Sequence, residues 1–166
     1  MKKDATVFFC DICGTIDGKN ELEDYEEFVK NLERIGQENG SDEVLFLFAS
    51  TEDKSIKQEY AKKFNLFFND YVNFPTIPEE IEIELESSGA KNQYFNRVLD
   101  RLCDEYNFKE IILADDSEFN HLSFSFAAED FLTDDGKYTS IVTGEGNNNL
   151  KFINSELEEK FKKKII

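Results

Sequence analysis

Thr6-Val7-Phe8-Phe9-Cys10-Asp11 is an apolar run that ends abruptly in an acid. A continuous apolar stretch of this length is typical of a strand that is buried on both faces of a parallel sheet. Two similar runs follow at residues 44–49 and 111–114. Patterns with helical spacing separate the three runs, and this alternation predicts an α/β fold with a three-layer, Rossmann-like parallel sheet and helices on both of its faces.

Apolar residues that recur at three- and four-residue steps predict the helices. The first such pattern covers residues 22–35 and is followed by glycines at Gly36 and Gly40, where we expect the helix to end. A second pattern covers residues 56–64, and the clearest stripe runs over residues 94–106. We therefore expect a helix after each of the first two strands and another before the strand at residues 111–114.

Three further segments have weaker patterns. Residues 81–86 alternate strictly between apolar side chains and glutamate, which predicts a strand with one buried face. The tail from Phe131 is rich in turn residues, with one candidate strand at residues 139–143. Ser155 has a glutamate three residues later, which is the pattern of a capping box, so it is expected to cap a final helix.

The composition limits the classes of function. A chain of 166 residues is expected to form one domain, residues 1–166, and 17 phenylalanines are ample for a folded core. The formal net charge of −17 repels nucleic acids and anionic membranes, so neither is an expected partner. The first apolar run is too short for a signal peptide or a membrane span, and three cysteines are an odd number for a disulfide framework. The expected compartment is therefore the cytoplasm.

Polar side chains follow each of the three predicted strands. Asp11 follows the first, Ser50 the second, and Asp115 and Asp116 the third. Ligands bind at the carboxyl edge of open parallel sheets, and carboxylate oxygens suit a hard divalent cation. We expect the three aspartates to gather around one ion, although acids after strands are also common as loop residues or helix caps.

The motifs resemble those of the haloacid dehalogenase (HAD) superfamily. Residues 8–15, Phe-Phe-Cys-Asp-Ile-Cys-Gly-Thr, resemble its first motif, an apolar strand followed by Asp-x-Asp-x-Thr. Residues 45–50 are similar to the second motif, Lys91 stands at the place of the third, and residues 111–117 resemble the fourth. The resemblance runs from Phe8 to Asn120 in the order of the family, and it implies a HAD-like fold.

The resemblance also implies a mechanism and its residues. Asp11 would be the nucleophile that forms an aspartyl phosphate, and Lys91 would offset the phosphate charge. The implied ligands of Mg²⁺ are Asp11, Asp115, Asp116 and the main-chain carbonyl of Cys13. The implied phosphoryl-binding residues are Thr15, Ser50 and Lys91. The substrate would be a phosphorylated small molecule or a phosphoprotein.

The sequence departs from the family pattern at two positions. Cys13 replaces the second Asp of the first motif, which serves the family's phosphatases as general acid and base, and a thiol is a poor substitute. Asn120 stands where a further Asp often supports the metal. In addition, no segment is long enough for a large cap domain, so the open site is expected to accept a large substrate or to be covered by a partner protein or a second copy.

Several alternatives remain open from the sequence. The chain is either a slow hydrolase or a catalytically degenerate relative that binds a phosphorylated ligand or a protein without turnover. Cys10 and Cys13 form a Cys-x-x-Cys pair, which with Cys103 and the single histidine, His121, allows a zinc site or thiol redox chemistry to be drawn. Ser50 is also a candidate cap for a helix that begins near residue 52, and Lys91 is also a candidate surface lysine.

Overall fold

The computed structural model describes residues 1–163, which form an α/β fold around one parallel sheet. The strands are ordered β3-β2-β1-β4-β5, and every neighbouring pair is parallel. The strands of the described chain are β1 (Lys3–Cys10), β2 (Glu43–Phe48), β3 (Val72–Asn73), β4 (Tyr106–Asp115) and β5 (Leu132–Val142). Its helices are α1 (Leu22–Asn39), α2 (Lys54–Asn65), α3 (Glu79–Ser88), α4 (Lys91–Leu102), α5 (Glu118–Phe131) and α6 (Leu150–Lys163).

The sheet lies between two hydrophobic cores, which confirms the three-layer α/β arrangement. One core contains side chains of α1, α2 and α6, and the other contains side chains of α3, α4 and α5. Successive residues of β1 alternate between the cores, so that Phe8 packs on Phe28 at 5.1 Å between ring centroids and Phe9 packs on Phe95 at 5.3 Å. The continuous apolar stretch from Val7 to Cys10 therefore supports both layers.

The register of the strands brings their carboxyl ends to one edge. Cys10 lies opposite Phe48 of β2 on one side and Ala114 of β4 on the other. The ladder continues one residue further, because the amide of Asp11 donates to the carbonyl of Ala114 at 2.9 Å. The residues that follow β1, β2 and β4 consequently share one edge of the sheet, as their positions in the sequence predicted.

The prediction of a strand at residues 81–86 is wrong, because this segment belongs to helix α3. Ile81 and Leu85, four residues apart, face the core, while Ile83 is exposed. The first turn of α3 carries acids that complement the helix dipole, and Gly89 ends the helix in the left-handed conformation with φ of 68°. In a segment with apolar residues at every second position, residues four apart are both apolar. The alternating pattern is therefore compatible with a strand and with one face of a helix.

The structure also corrects the secondary structure predicted for the end of the described chain. The tail after Phe131 is not mainly turns, because β5 begins at Leu132 and pairs with β4, with an irregularity that accommodates the Asp134–Gly136 turn residues. The last helix begins at Leu150, so Ser155 lies inside it rather than at its cap. The side chain of Asn149 accepts from the amide of Phe152 at 2.8 Å.

One boundary differs from the helical patterns, and one helix was not predicted. The apolar stripe at residues 94–106 spans α4 and the first residue of β4, because α4 ends at Leu102. Helix α5 has apolar residues on its outer face as well as on its inner face and therefore shows no clear helical period. None of the helices in residues 1–163 combines the length and the apolar composition that a bilayer span requires.

Candidate metal centre

Three aspartates meet at the carboxyl edge of the sheet. Asp11 follows β1, Asp115 ends β4 and Asp116 comes next, and one carboxylate oxygen from each lies within 4.8 Å of the others. Asp11 and Asp115 are buried, whereas Asp116 is exposed. Three carboxylates around one small space, with one side open to solvent, fit a hard divalent cation that keeps some of its water ligands.

Lys91 lies between the two buried carboxylates. Its ammonium nitrogen is 3.1 Å from Oδ1 of Asp11 and 2.9 Å from Oδ2 of Asp115, and its side chain is almost fully buried. The lysine is the first residue of α4, so the start of that helix positions it. A cation whose side chain is only 10% exposed and that touches two carboxylates is a member of the cluster, which argues against the interpretation of Lys91 as a surface residue.

Asp115 is held by hydrogen bonds on both oxygens. The amide of Ser117 donates to Oδ1 at 2.8 Å, and the side-chain amide of Asn120 lies 3.2 Å from Oδ1 and 3.3 Å from Oδ2. Asn120 therefore acts here as a donor to the carboxylate, a role that an Asp could not fill when ionised. With Lys91 also bound to Asp115, the less constrained oxygens of the cluster belong to Asp11 and Asp116.

Gly14 provides the space that Asp116 occupies. A Cβ atom at this position would lie 2.2 Å from Oδ2 of Asp116, and the φ angle of Gly14 is 77°, a conformation that other residues adopt at a cost. The loop after β1 thus passes against the carboxylate at a distance that only glycine permits. This close approach is a second observation that the Asp116 side chain is directed toward the cluster.

The charges in the cluster shift the pKa values of its members. Burial, opposed by Lys91 and reinforced by Asp115, raises the pKa of Asp11 from 3.8 to about 7. Burial disfavours the ammonium form of Lys91, but its two carboxylate neighbours outweigh this effect and raise its pKa above the ordinary value. A bound cation would favour the ionised form of Asp11, so binding of the metal and loss of a proton are coupled.

Cys13 is exposed at the mouth of the cluster. Desolvation and the nearby acids, first Asp17 and then Asp11, raise the pKa of its thiol above 9.0. It is therefore a protonated thiol at neutral pH and a weak candidate for the general acid and base that the resemblance implies at this position.

The arrangement of the cysteines does not support the zinc site that the sequence allowed. Cys10 is buried, and its thiol donates to the carbonyl of Asp11. Cys103 ends α4 just before β4 begins, at the opposite edge of the sheet from Cys13. Within residues 1–163, the aspartate cluster is the group of three or more Asp, Glu, His or Cys side chains that is close enough to share an ion.

The two predicted phosphate-binding hydroxyls differ in their surroundings. Thr15 is buried, and its oxygen lies 2.8 Å from that of Thr143, so it ties the loop after β1 to the residue that follows β5. Ser50 accepts from the amide of Glu52 at 3.1 Å and keeps its hydroxyl hydrogen for another acceptor. Ser50 does not cap α2, because that role belongs to Asp53. The geometry therefore leaves Ser50 as the better candidate for a phosphoryl contact.

Two residues that support the main chain of the cluster were not predicted to do so. Thr143 donates its amide to the carbonyl of Asp115 at 3.1 Å, and Nε2 of His121 lies 2.9 Å from the same oxygen. The candidate strand predicted at residues 139–143 included Thr143, so this residue was assigned to the strand and not to the edge; β5 ends at Val142, and Thr143 follows it. His121, which the sequence left as a zinc ligand or a structural residue, joins α5 to the end of β4.

Searches of protein-family models, of curated protein sequences and of solved structures found no match, so the fold and the cluster rest on the residues themselves.

Proposed function

We propose that this protein is a HAD-like, Mg²⁺-dependent hydrolase or transferase that acts on phosphorylated substrates through Asp11. The observation that supports this function best is the contact of Lys91 with both Asp11 and Asp115 inside a cluster of three carboxylates. A purely structural ion pair needs one carboxylate for one ammonium, whereas this cluster has an excess of negative charge that a cation would balance. An excess of this kind is what a site for metal and phosphate requires.

The chemistry proceeds in two displacements at phosphorus. An ionised oxygen of Asp11 attacks the phosphorus atom, a phosphorus–oxygen bond forms, and the bond to the leaving oxygen breaks. Water then attacks the phosphorus of the aspartyl phosphate, releases inorganic phosphate and restores the carboxylate of Asp11. Lys91 stabilises the charge on the phosphoryl oxygens during both steps, and the hydroxyl of Ser50 donates to one of them.

Asp11, Asp116, Asp115 and the main-chain carbonyl of Cys13 are the residues that would hold Mg²⁺. When bound, the cation neutralises the phosphate so that a carboxylate can approach it. Asp116 remains exposed at the solvent side, and Asp115 needs one of its hydrogen bonds to loosen before it can become a ligand. The free thiols suit a reducing compartment, and we propose the cytoplasm.

The thiol at position 13 limits the class of substrate that the protein is expected to hydrolyse quickly. A thiol with a raised pKa is a weak acid toward a leaving alkoxide, and its small thiolate fraction makes it a weak base toward water. Substrates whose leaving group departs without a proton avoid the first difficulty. We therefore expect acyl phosphates to phosphorylate Asp11 faster than alkyl phosphate monoesters do.

The test is intact-mass spectrometry of the protein with Mg²⁺ and acetyl phosphate, with released phosphate measured in parallel. The expected result is one phosphoryl adduct that Asp11→Asn abolishes. Glu145→Gln is the matched control, because it removes one negative charge from an exposed acid in the loop after β5. An adduct that persists in Asp11→Asn would refute the nucleophile, and the lack of an adduct in the wild-type protein would refute the proposed reaction.

A second function, binding without turnover, is favoured by the exposed thiol at the acid and base position. The variant Cys13→Asp separates the two functions. If only the general acid and base is missing, phosphate release should rise by about a hundred- to ten-thousandfold. If Mg²⁺ and phosphate analogues bind but neither protein releases phosphate, the cluster serves binding alone.

A further inference from the structure

The outer face of helix α5 carries three large apolar side chains that no part of the described chain covers. Phe119 is 73% exposed, Leu122 is 56% exposed and Phe126 is 65% exposed. Their spacing of three and four residues places them on one side of the helix. Phe124 and Ala128, which face the sheet, are fully buried. A surface helix is normally polar on its outer side, so this stripe is the pattern of a face that a partner covers.

Charge distinguishes this face from the rest of the protein. Residues 119–128 contain no Asp, Glu, Lys or Arg, although 33% of the chain is charged. Both ends of the stripe are acidic, with Glu118 before it and Glu129 and Asp130 after it. No lysine or arginine occurs between Lys109 and Lys137. The face is therefore an apolar stripe with acidic ends.

This distribution of charge selects the partner. If a second copy packed its α5 antiparallel on this one, with Phe119 against Phe126, the acidic end of each helix would meet the acidic end of the other. Like charges in contact oppose such a pairing. Covering the three side chains removes roughly 400 Å² of apolar surface, about half of the 800 Å² per partner that a stable interface buries. Both considerations favour one docked segment over a homodimer.

We propose that the outer face of α5 binds an amphipathic helix of a partner protein, with an apolar stripe flanked by lysine or arginine. The apolar residues of the partner pack on Phe119, Leu122 and Phe126, and its basic residues lie near the acidic ends of α5. Two residues separate Phe119 from Asp116, so a helix docked there lies at the rim of the aspartate cluster.

The test measures binding of a fluorescently labelled model peptide of leucine and lysine, about five helical turns long, by anisotropy. The reference is a peptide of the same composition in scrambled order, which has the same charge but no apolar stripe. We expect the amphipathic peptide to bind at least about tenfold more tightly than the scrambled one, a difference of about 1.4 kcal/mol. Added salt should weaken the binding, because opposite charges contribute to it.

Two variants test the location of the surface. Phe126→Glu places a charge in the stripe and should abolish the preference for the amphipathic peptide. Leu66→Glu is the matched control: Leu66 is also 65% exposed, but it ends α2, which packs on the other face of the sheet, so the preference should persist. Circular dichroism and thermal melting of both variants would verify that they are folded.

Three results would overturn the proposal. Equal affinity for the two peptides would mean that only net charge attracts them. A preference that survives Phe126→Glu would place the binding elsewhere. A dimer in sedimentation that strengthens with salt and is lost in Phe126→Glu would show that a second copy occupies the face. None of these measurements depends on phosphate chemistry, so the proposed reaction and the proposed surface are tested separately.

Discussion

Replacing Asp11 by asparagine should stabilise the metal-free protein at alkaline pH. The pKa of Asp11 is raised from 3.8 to about 7 in the folded protein, mainly by burial. Below pH 4 the carboxyl is protonated in both the folded and the unfolded chain, and the substitution changes little. As the pH rises toward 7, the unfolded chain loses its proton first, so folding must retain a proton or bury a charge. The stability of the wild-type protein therefore falls over this interval.

The magnitude follows from the shift in pKa. A difference of about three pH units corresponds to about 4 kcal/mol at pH 8 and to about 2 kcal/mol at pH 5. Asparagine imitates the neutral carboxyl in size and does not titrate, so the variant should exceed the wild-type protein by these amounts. Saturating Mg²⁺ should narrow the gap, because the cation stabilises the folded state of the protein that binds it better.

The assay is urea denaturation in the presence of EDTA, followed by circular dichroism, at several values between pH 5 and pH 8. The quantity compared is the free energy of unfolding of Asp11→Asn minus that of the wild-type protein. Glu145→Gln, which removes one charge from an exposed acid, corrects for the general relief of repulsion in a chain of net charge −17. A difference that is the same at pH 5 and pH 8, or an asparagine variant that is less stable at pH 8, would refute the reasoning.

Three further predictions concern residues around the cluster and a buried glutamate within β4. Lys91→Met should lower the free energy of unfolding at pH 8 by about 3–5 kcal/mol, because two buried carboxylates lose their cation, and urea denaturation should show a smaller loss at pH 5. Gly14→Ala should weaken Mg²⁺ binding in calorimetry, because the added Cβ displaces the side chain of Asp116. Gly40→Ala is the control, because Gly40 has a similar φ of 69° and open space around it; it should lower the free energy of unfolding by about 1 kcal/mol and leave the affinity for Mg²⁺ unchanged. Glu110→Gln should lower the free energy of unfolding by about 2 kcal/mol at pH 7, because this buried carboxylate accepts hydrogen bonds from three neighbours, including a lysine at 3.0 Å. These donors outweigh burial and lower the pKa of Glu110. The destabilisation measured by urea denaturation should therefore vanish as the pH falls below the pKa of Glu110 in the folded protein.

The central strands could be predicted because burial on both faces leaves a direct mark in the sequence. Phe8 and Phe9 serve different cores, so consecutive positions from Val7 to Cys10 in β1 are all apolar. The acids stand out for the same reason, since Asp11 and Asp115 directly follow four consecutive apolar residues, Val7 to Cys10 and Ile111 to Ala114. Carboxyl ends of parallel strands share one edge, so the grouping of these acids followed from strand order without knowledge of the helices.

Elements at the surface were predicted less well, because their patterns admit more than one structure. Residues 81–86 place apolar side chains at positions that suit a strand and also at the i, i+4 positions of α3. Helix α5 was missed because the apolar residues of its outer face hide the period that its inner face would show. In both cases the missing information is which neighbour each side chain contacts.

The sequence by itself determined the parallel α/β sheet, the edge at which a ligand would bind and the acids that line it, since strands buried on both faces require unbroken apolar runs and mark their own ends. Only the tertiary structure decided how those acids are used. It placed Lys91 between Asp11 and Asp115, turned Asn120 into a donor to Asp115, and separated the cysteines that the sequence had allowed to share a zinc ion. The physical reason is that these distances depend on how the helices pack on the sheet, and such packing leaves no local pattern. This holds both for Lys91, which lies far from Asp11 and Asp115 in the chain, and for Asn120, which the start of α5 turns back onto Asp115.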